Sequence, residues 1–470
     1  MSTLSQLMNG VASFRKDVRG NVAQIFAFSM IPLLGLAGFT IDYSTTLSAQ
    51  AKLETAADTA ALTAITVAQN YIKTNAVTGV NVNTAAINAG KAQALKVFNA
   101  QVGAIPTATV NPPVITLVLT GQTFTATVGF SGNQPTTLTQ LIGVSNMTLG
   151  GTASAALTMA RYLDFYVATD VSGSMGLPSS IAGANQLAPL NPVAIPTGIK
   201  NCEFACHFPG VPGYQIAKTN NIQLRIDAVG ASLVALMQTA KQTQTSTAIT
   251  SQFQVGLYPF VKSLWAYAPL SNASNNLDII AAAADYTKFG TLLDNGSYYL
   301  KHPVTGSTIT NPLGSGGTDI NTALNSINSL VPPSGQVGAG TSASDRQPIV
   351  FLITDGAQNP QKFYTFPNDT GDYFDGNNSA TAMNPSYCTT MKNRHIIVSV
   401  LYLTYEPIQN PTTVWGNEDN VVNAVAPTFA GILQSCASPG FFFQANSPTA
   451  INDAMQTMFQ QAQKSPRLLN

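Results

Sequence analysis

Between Ala23 and Ile41 the chain reads AQIFAFSMIPLLGLAGFTI, nineteen residues without a charge. A run of that length and polarity is within the range of a single membrane-spanning helix. Pro32 and Gly35 do not exclude it, because membrane helices tolerate both. Arg15, Lys16 and Arg19 precede the run, diluted by Asp17; Asp42 follows it, and the next basic residue is Lys52. The positive-inside bias therefore places residues 1–22 in the cytoplasm and everything after Asp42 across the membrane. A cleaved signal peptide or a buried core helix would also be apolar. No small-x-small cleavage site separates the run from the Ala-rich helix that continues it, so we expect an uncleaved anchor.

That helix, Leu47 to Ile72, lacks Gly and Pro and is rich in Ala. Leu53, Ala57, Ala60, Ala61 and Ala64 recur at three and four spacing, so span and helix can form one rod. The stripe suits packing on its own domain, or else a pilin-like contact. A second helix is expected from about Thr84 to Val102, with Ile87, Leu95 and Phe98 inside. Beyond Pro106, Pro112 and Pro113, a hairpin is expected to turn at Gly121. Ile115, Leu117 and Leu119 alternate on one arm, and Phe124, Ala126, Val128 and Phe130 on the other. A further strand covers Thr152 to Met159. Residues 43–160 thus read as a small α+β module.

From Arg161 the rhythm changes to strands separated by helices. Strands are expected at Leu163–Thr169, Phe253–Tyr258, Pro348–Gly356 (with its turn) and His395–Leu403. Helices are expected at Ile222–Met237 and Thr318–Leu330 and around Ile451–Phe459. Leu224, Ala228, Leu233 and Leu236 supply the buried face of the first of these. Apolar strands alternating with helices argue for an α/β sheet covered on both faces. Long loops interrupt it at 176–220, 285–315 and 356–386. The chain has 470 residues, which also argues for more than one unit. Charged residues are only 9% and the net charge is zero, so no nucleic acid is expected as a partner.

The chemistry concentrates in ATDVSGSMGLP, residues 168–178. In doubly wound sheets, ligands sit at the carboxyl ends of the strands. Asp170 and Asp355 both stand at such ends, and Thr318, in GSGGTDI, opens a helix after a glycine-rich loop. Gly173 is expected to fold the turn back so that Ser172 and Ser174 face one point. Carboxylates and hydroxyls without His or Cys make a hard-cation site, with Mg²⁺ expected and Mn²⁺ or Ca²⁺ able to replace it. The plain alternative is that Asp170 and the serines are turn formers.

This pattern closely resembles the von Willebrand factor A fold and its metal-ion-dependent adhesion site. The resemblance rests on DVSGS (Asp170, Ser172, Ser174), GGTD (Thr318) and TDG (Asp355). It implies that Ser172, Ser174 and Thr318 ligate directly or nearly so. Asp170 and Asp355 would act partly through water, and a partner's acidic group would complete the shell. The N-terminal RGNVAQIFAFSMIPLLGLAGFTIDYS and KLETAADTAALTA, with CEFACH and SCASPGFFFQA, look like the TadG-like proteins of the tight-adherence (Flp) pilus machinery of bacteria. Those carry one membrane helix, a pilin-like stalk and a C-terminal A domain, here residues 161–470. Gly20–Asn21 faintly resembles a prepilin cleavage point, but Ile25 stands where Glu is usual, so processing is not expected. The resemblance implies an inner-membrane protein whose A domain faces the periplasm and binds pilus or pilus-assembly components. A metal-dependent hydrolase and a scaffold with an idle metal site are the alternatives. An enzyme is not expected, because His207, His302 and His395 lie outside the metal motifs.

Four cysteines remain: Cys202, Cys206, Cys388 and Cys436. Outside the cytoplasm they can form disulfides, and the sequence alone does not choose among three pairings. Cys202 with Cys206, and Cys388 with Cys436 across a strand, are the pairs expected. A zinc site at CEFACH lacks a second Cys/His pair nearby, and a haem signature has two residues, not three, between its cysteines.

Overall fold

The computed structural model describes residues 21–76, 81–103, 105, 107–190, 212–247, 249, 251–270, 277–284, 299–302, 305–314, 316–333, 335–362, 379–409, 411, 413 and 416–464. The chain divides into two compact units, residues 1–72 with 82–158, and residues 73–81 with 159–470.

In the first unit, helix α1 (Asn21–Asn75) runs unbroken for 55 residues, through Pro32. It is long and apolar enough to cross a membrane. Span and Ala-rich segment are therefore one rod. Leu53, Ala57, Ala60, Ala61 and Ala64 are all fully buried. Helix α2 (Asn83–Val102) buries Ala86, Gly90, Ala94 and Phe98, one residue per turn. A Cβ on Gly90 would come within 2.5 Å of the Ala64 carbonyl oxygen, so the helix backbones are in contact there. Leu95, expected inside, is instead 41% exposed. The stripe of small residues allows a closer helix approach than a leucine would, and the leucine is turned outward.

Four strands complete this unit: β1 (Thr109–Val110), β2 (Val114–Thr120), β3 (Thr123–Pro135) and β4 (Asn146–Thr158). β2 and β3 form the expected hairpin, in register from Val114–Gly129 to Thr120–Thr123, with Gly121 at φ +61° in the turn. β4 pairs antiparallel with β3 along its whole length. It begins six residues earlier than expected, because Asn146–Gly151 is polar and Gly-rich yet still pairs with the far end of β3. The β3–β4 connection is held by Asp42 of α1. Its carboxylate accepts hydrogen bonds from the backbone N–H groups of Thr137 (3.0 Å), Leu138 (2.9 Å) and Thr139 (2.7 Å), and from the Thr139 hydroxyl (2.9 Å). The Thr139 amide, with the other donors, holds the Asp42 pKa down at about 2.

The second unit is a doubly wound α/β domain. In chain order it comprises β5 (Leu163–Asp170), α3 (Ile181–Leu190), α4 (Pro212–Thr219), α5 (Arg225–Thr247), β6 (Phe253–Phe260), α6 (Leu277–Ala283), β7 (Tyr299–Lys301), β8 (Thr308–Thr310), α7 (Ile320–Leu330), β9 (Gln347–Thr354), β10 (Ala357–Gln358), β11 (Thr381–Ala382), α8 (Ser386–Lys392), β12 (Ile397–Leu403), α9 (Glu418–Val425), α10 (Phe429–Cys436), β13 (Phe442–Ala445) and α11 (Pro448–Lys464). The central sheet has the order β13-β12-β9-β5-β6, and every pairing in it is parallel. Every residue of β6 and β9 is buried. Phe165 and Val167 of β5 face a core with Leu233 of α5 and Phe459 of α11. Tyr166 and Ala168 face a second core with Leu324 of α7 and Leu433 of α10. The period of two thus splits each strand between two apolar layers, which is the arrangement expected of an α/β sheet covered on both faces.

Several boundaries differ from the sequence expectation. α5 begins at Arg225 rather than Ile222 and runs to Thr247. His395 is not in the strand: it turns at φ +62°, and β12 starts at Ile397. α7 opens at Ile320, with Asp319 as its N-cap. The loop at 176–220 contains α3 and α4, 285–315 contains the β7–β8 hairpin, and 356–386 contains the short β10–β11 pair. Cys388 and Cys436 form the expected disulfide, joining α8 to the end of α10 with Cα atoms 5.1 Å apart. Cys202, Cys206 and His207 lie outside the described residues.

Two outcomes follow from these contacts. The Cys388–Cys436 bridge spans 48 positions, so in the loop-entropy account its removal by Cys388→Ala with Cys436→Ala costs about 4 kcal/mol; denaturant unfolding of the two forms measures it. Asp42 has a folded-state pKa below its ordinary value, so its bonds stabilise the first unit above about pH 4 and are lost as pH falls through about 2. The gap in thermal midpoint between wild type and Asp42→Asn should therefore be widest near neutral pH and close on acidification.

Candidate metal centre

β5 ends on Asp170, and the loop that follows is built by hydrogen bonds of its own residues. The Val171 N–H donates to the Phe260 carbonyl (3.0 Å), which extends the β5–β6 ladder by one step. The Ser172 N–H donates to Asp170 Oδ1 (3.0 Å) in an Asx turn. A single 3₁₀ turn over Gly173–Gly176 follows, with the Met175 N–H on the Ser172 carbonyl (2.9 Å). Met175 is fully buried and pins the turn to the apolar core. Gly173 is not among the residues at positive φ. The 3₁₀ turn, rather than glycine's conformational freedom, therefore folds the loop back. Ser172 Oγ and Ser174 Oγ end 3.2 Å apart, both buried.

Asp355 directly follows β9, and Gly356 at φ +85° makes the turn after it. Asp170 and Asp355 are both fully buried. Asp170 is bonded by the Thr354 hydroxyl (2.7 Å) and the Ser172 N–H, both uncharged. Asp355 is bonded by Arg225 Nη1 (2.8 Å), and the neighbouring Ser174 hydroxyl also favours its ionised form. Burial pushes the Asp170 pKa above the ordinary carboxylate range, and the charge of Asp355 adds to the effect. Burial also raises Asp355, against the opposing pull of Arg225.

Thr318 is placed by its backbone. Its carbonyl accepts from the Asn359 N–H (2.8 Å), and the next residue's N–H donates to the Val261 carbonyl (2.8 Å). Those bonds tie it to the segments following β9 and β6, at the carboxyl edge of the sheet. The glycines before it permit this: a Cβ on Gly317 would lie 2.2 Å from the Asn359 carbonyl oxygen. Asp319 is occupied as a cap. It accepts from the Thr322 N–H (2.9 Å) and hydroxyl (2.7 Å), with Lys262 at 3.8 Å. Asp170, Ser172, Ser174 and Asp355 are thus linked directly, and Thr318 stands at the same edge.

Arg225 and Thr354 belong to this cluster and were not singled out from the sequence. Arg225 opens α5, bonds Asp355, donates to the Ser174 (3.4 Å) and Thr404 (3.1 Å) carbonyls, and stacks 5.6 Å from the Tyr405 ring centroid. A cation in the first turn of a helix opposes the helix dipole, and that misfit is the signal that could have marked it.

The donor set fits a hard divalent cation. The oxygens are carboxylate and hydroxyl. Among the described residues no group of three or more His, Cys, Asp or Glu could hold a metal, so an ion here depends on the hydroxyls.

Comparisons with known proteins bear on the N-terminal segment. The family model Tad, described as Flp pilus-assembly TadE/G-like, matches residues 20–70. No curated protein matches the chain in sequence. Among solved structures, the PilB minor pilin from Streptococcus sanguinis is 10% identical at a TM-score of 0.31, covering 76% of this chain and 78% of that one. The vWF domain of the type V pili tip protein Mfa5 from Porphyromonas gingivalis is 10% identical at 0.31, covering 66% and 99%. Proximal thread matrix protein 1 from the mussel byssus, solved with a zinc-occupied MIDAS motif, is 13% identical at 0.32, covering 65% and 48%.

The buried Arg225–Asp355 pair sets a testable energy. Arg225→Met leaves two buried carboxylates without a counter-charge and should destabilise the domain by about 3–5 kcal/mol in EDTA. A millimolar divalent cation should recover part of that loss, giving a larger thermal shift in the variant than in wild type. Residues 20–70 of this chain match a TadE/G-like Flp pilus-assembly family model, and the second unit of the same polypeptide is a doubly wound α/β domain built on a parallel sheet.

Proposed function

We propose that this chain is a membrane-anchored pilus-assembly or adhesion protein, not an enzyme. In this reading α1 crosses the bacterial inner membrane once, residues 1–22 stay in the cytoplasm, and the remainder faces the periplasm. Asp170, Ser172, Ser174, Thr318 and Asp355 hold a divalent cation, Mg²⁺ first among those available. Through that ion the domain takes a carboxylate from a protein partner, a pilus or pilus-assembly component.

One observation carries the metal reading. Two buried carboxylates share a single guanidinium, paired with Asp355, so ionising both leaves one negative charge uncompensated away from water. A group in that state either takes up a proton or binds a cation. The serine oxygens, 3.2 Å apart beside it, supply neutral ligands. Charge balance then argues for the partner. With a divalent ion added, the cluster carries one net positive charge in a buried setting. An incoming carboxylate neutralises it. Arg225 therefore shifts the site from merely holding an ion toward requiring an acid. Metal uptake should also release a proton, since Asp170 must ionise to ligate.

Calorimetric titration with Mg²⁺ and with Mn²⁺ tests this. Wild type should bind, Asp170→Ala should lose binding, and Ser172→Ala or Ser174→Ala should weaken it by less, each losing only a neutral ligand. All variants should keep the fold, because the sheet is held by its apolar strands. Equal binding by wild type and Asp170→Ala, or binding by neither, reduces the stretch to a turn.

A further inference from the structure

The β3–β4 connection, residues 136–145, has the sequence TTLTQLIGVS and no charge. Its large apolar side chains point outward. Leu141 is 82% exposed and Ile142 is 62% exposed, with Leu138 and Val144 also exposed. Gly143, at φ +93°, closes the turn that presents them. Four apolar side chains in seven residues, turned away from their own sheet, form the kind of patch that marks an interaction site.

Its position identifies the occupant. A Cβ on Gly38 would lie 2.7 Å from the Leu138 Cβ, so the connection rests directly on α1 at Gly38. One turn further on, Asp42 locks it there through Thr137, Leu138 and Thr139. Gly38 lies inside the uncharged run Ala23–Ile41, about 4.5 Å from its end at the helical rise. The apolar loop is therefore level with the last turn of the apolar helix and continuous with it. Phe39 and Tyr43 stack at the same level, their ring centroids 5.8 Å apart. Aromatic residues favour that depth at a membrane boundary.

We propose that residues 138–144 are a second membrane contact: the loop inserts beside α1 into the leaflet nearer the folded unit. This rests on the reading of α1 as a membrane span. Leu141 and Ile142 enter the acyl boundary, as the apolar face of an interfacial segment does. The Asp42 carboxylate stays at the boundary with its bonds made by the loop backbone. Two attachment points side by side also fix the rotation of α1 about its axis, which a lone span leaves free.

Tryptophan quenching by acyl-brominated phosphatidylcholine tests it, with the full chain reconstituted in vesicles. The two native tryptophans are first replaced by Phe. Single tryptophans are then placed at Leu33, in the span; at Leu141 and, separately, Ile142, in the loop; and at Thr120, exposed at the end of β2, opposite the first residue of β3 and so at the far end of that strand from the loop. Leu33→Trp, Leu141→Trp and Ile142→Trp should each lose about half or more of their emission in brominated lipid, and Thr120→Trp should not. Quenching at Leu33 but at neither loop position overturns the proposal and leaves the span intact. A blue-shifted but unquenched loop tryptophan also overturns it, because protein and not lipid then covers the patch. No quenching at Leu33 removes the span, and the proposal with it.

Discussion

Burying a carboxylate at the carboxyl edge of an apolar sheet is costly, and the second unit does it twice within one cluster. The Arg225–Asp355 ion pair makes this possible. It joins the start of α5 to the end of β9, residues 130 apart in sequence, and its exposure is 5% on one side and none on the other. The same guanidinium donates to the carbonyls of Ser174 and Thr404. One side chain thus fixes the loop after β5, the turn after β9 and the segment after β12. The strands, buried on both faces, build the sheet without it. The relative position of the three loops at its edge depends on it.

The first unit solves a similar problem with neutral donors. Asp42 is buried, yet three backbone N–H groups and a hydroxyl satisfy it, and its pKa falls instead of rising. Here the helix–helix contact depends on small residues. Ala64 and Ala68 leave room for the α2 backbone at Gly90, and apolar burial per residue is modest. Close backbone approach at Gly90 compensates in part for the lack of large side chains there.

The sequence made the fold class and most of the candidate site legible because both are written in local patterns. The alternation of apolar strands with helices gave the doubly wound sheet, and DVSGS and TDG placed Asp170 and Asp355 at strand ends. What stayed hidden was non-local. Arg225 finds Asp355 only after the sheet has formed, and nothing in NIQLRIDAVG names that partner. Leu95 looked like a core residue by its chemistry, but backbone contact at Gly90 decided the face. His395 read as the first residue of an apolar strand, whereas a left-handed turn occupies that position. The role assigned to Gly173 failed for a related reason. A glycine in a loop motif suggests an unusual φ, but the buried Met175 and the 3₁₀ hydrogen bond close the turn with ordinary angles.

The buried carboxylates differ in how their charge is satisfied. Asp42 is saturated with donors. Asp355 has a guanidinium and a hydroxyl. Asp319 is a helix cap bonded twice to Thr322, with Lys262 nearby. Each has hydrogen-bond or ionic partners that offset the cost of its burial. Asp170 is the exception: it is as deeply buried as Asp355, its bonding partners are uncharged, and a second carboxylate raises its pKa further. A purely structural acid in that position would be replaced without loss by a neutral side chain of similar shape. Under the proposed function, the positive charge it lacks would be a divalent ion held between it and the two serine hydroxyls.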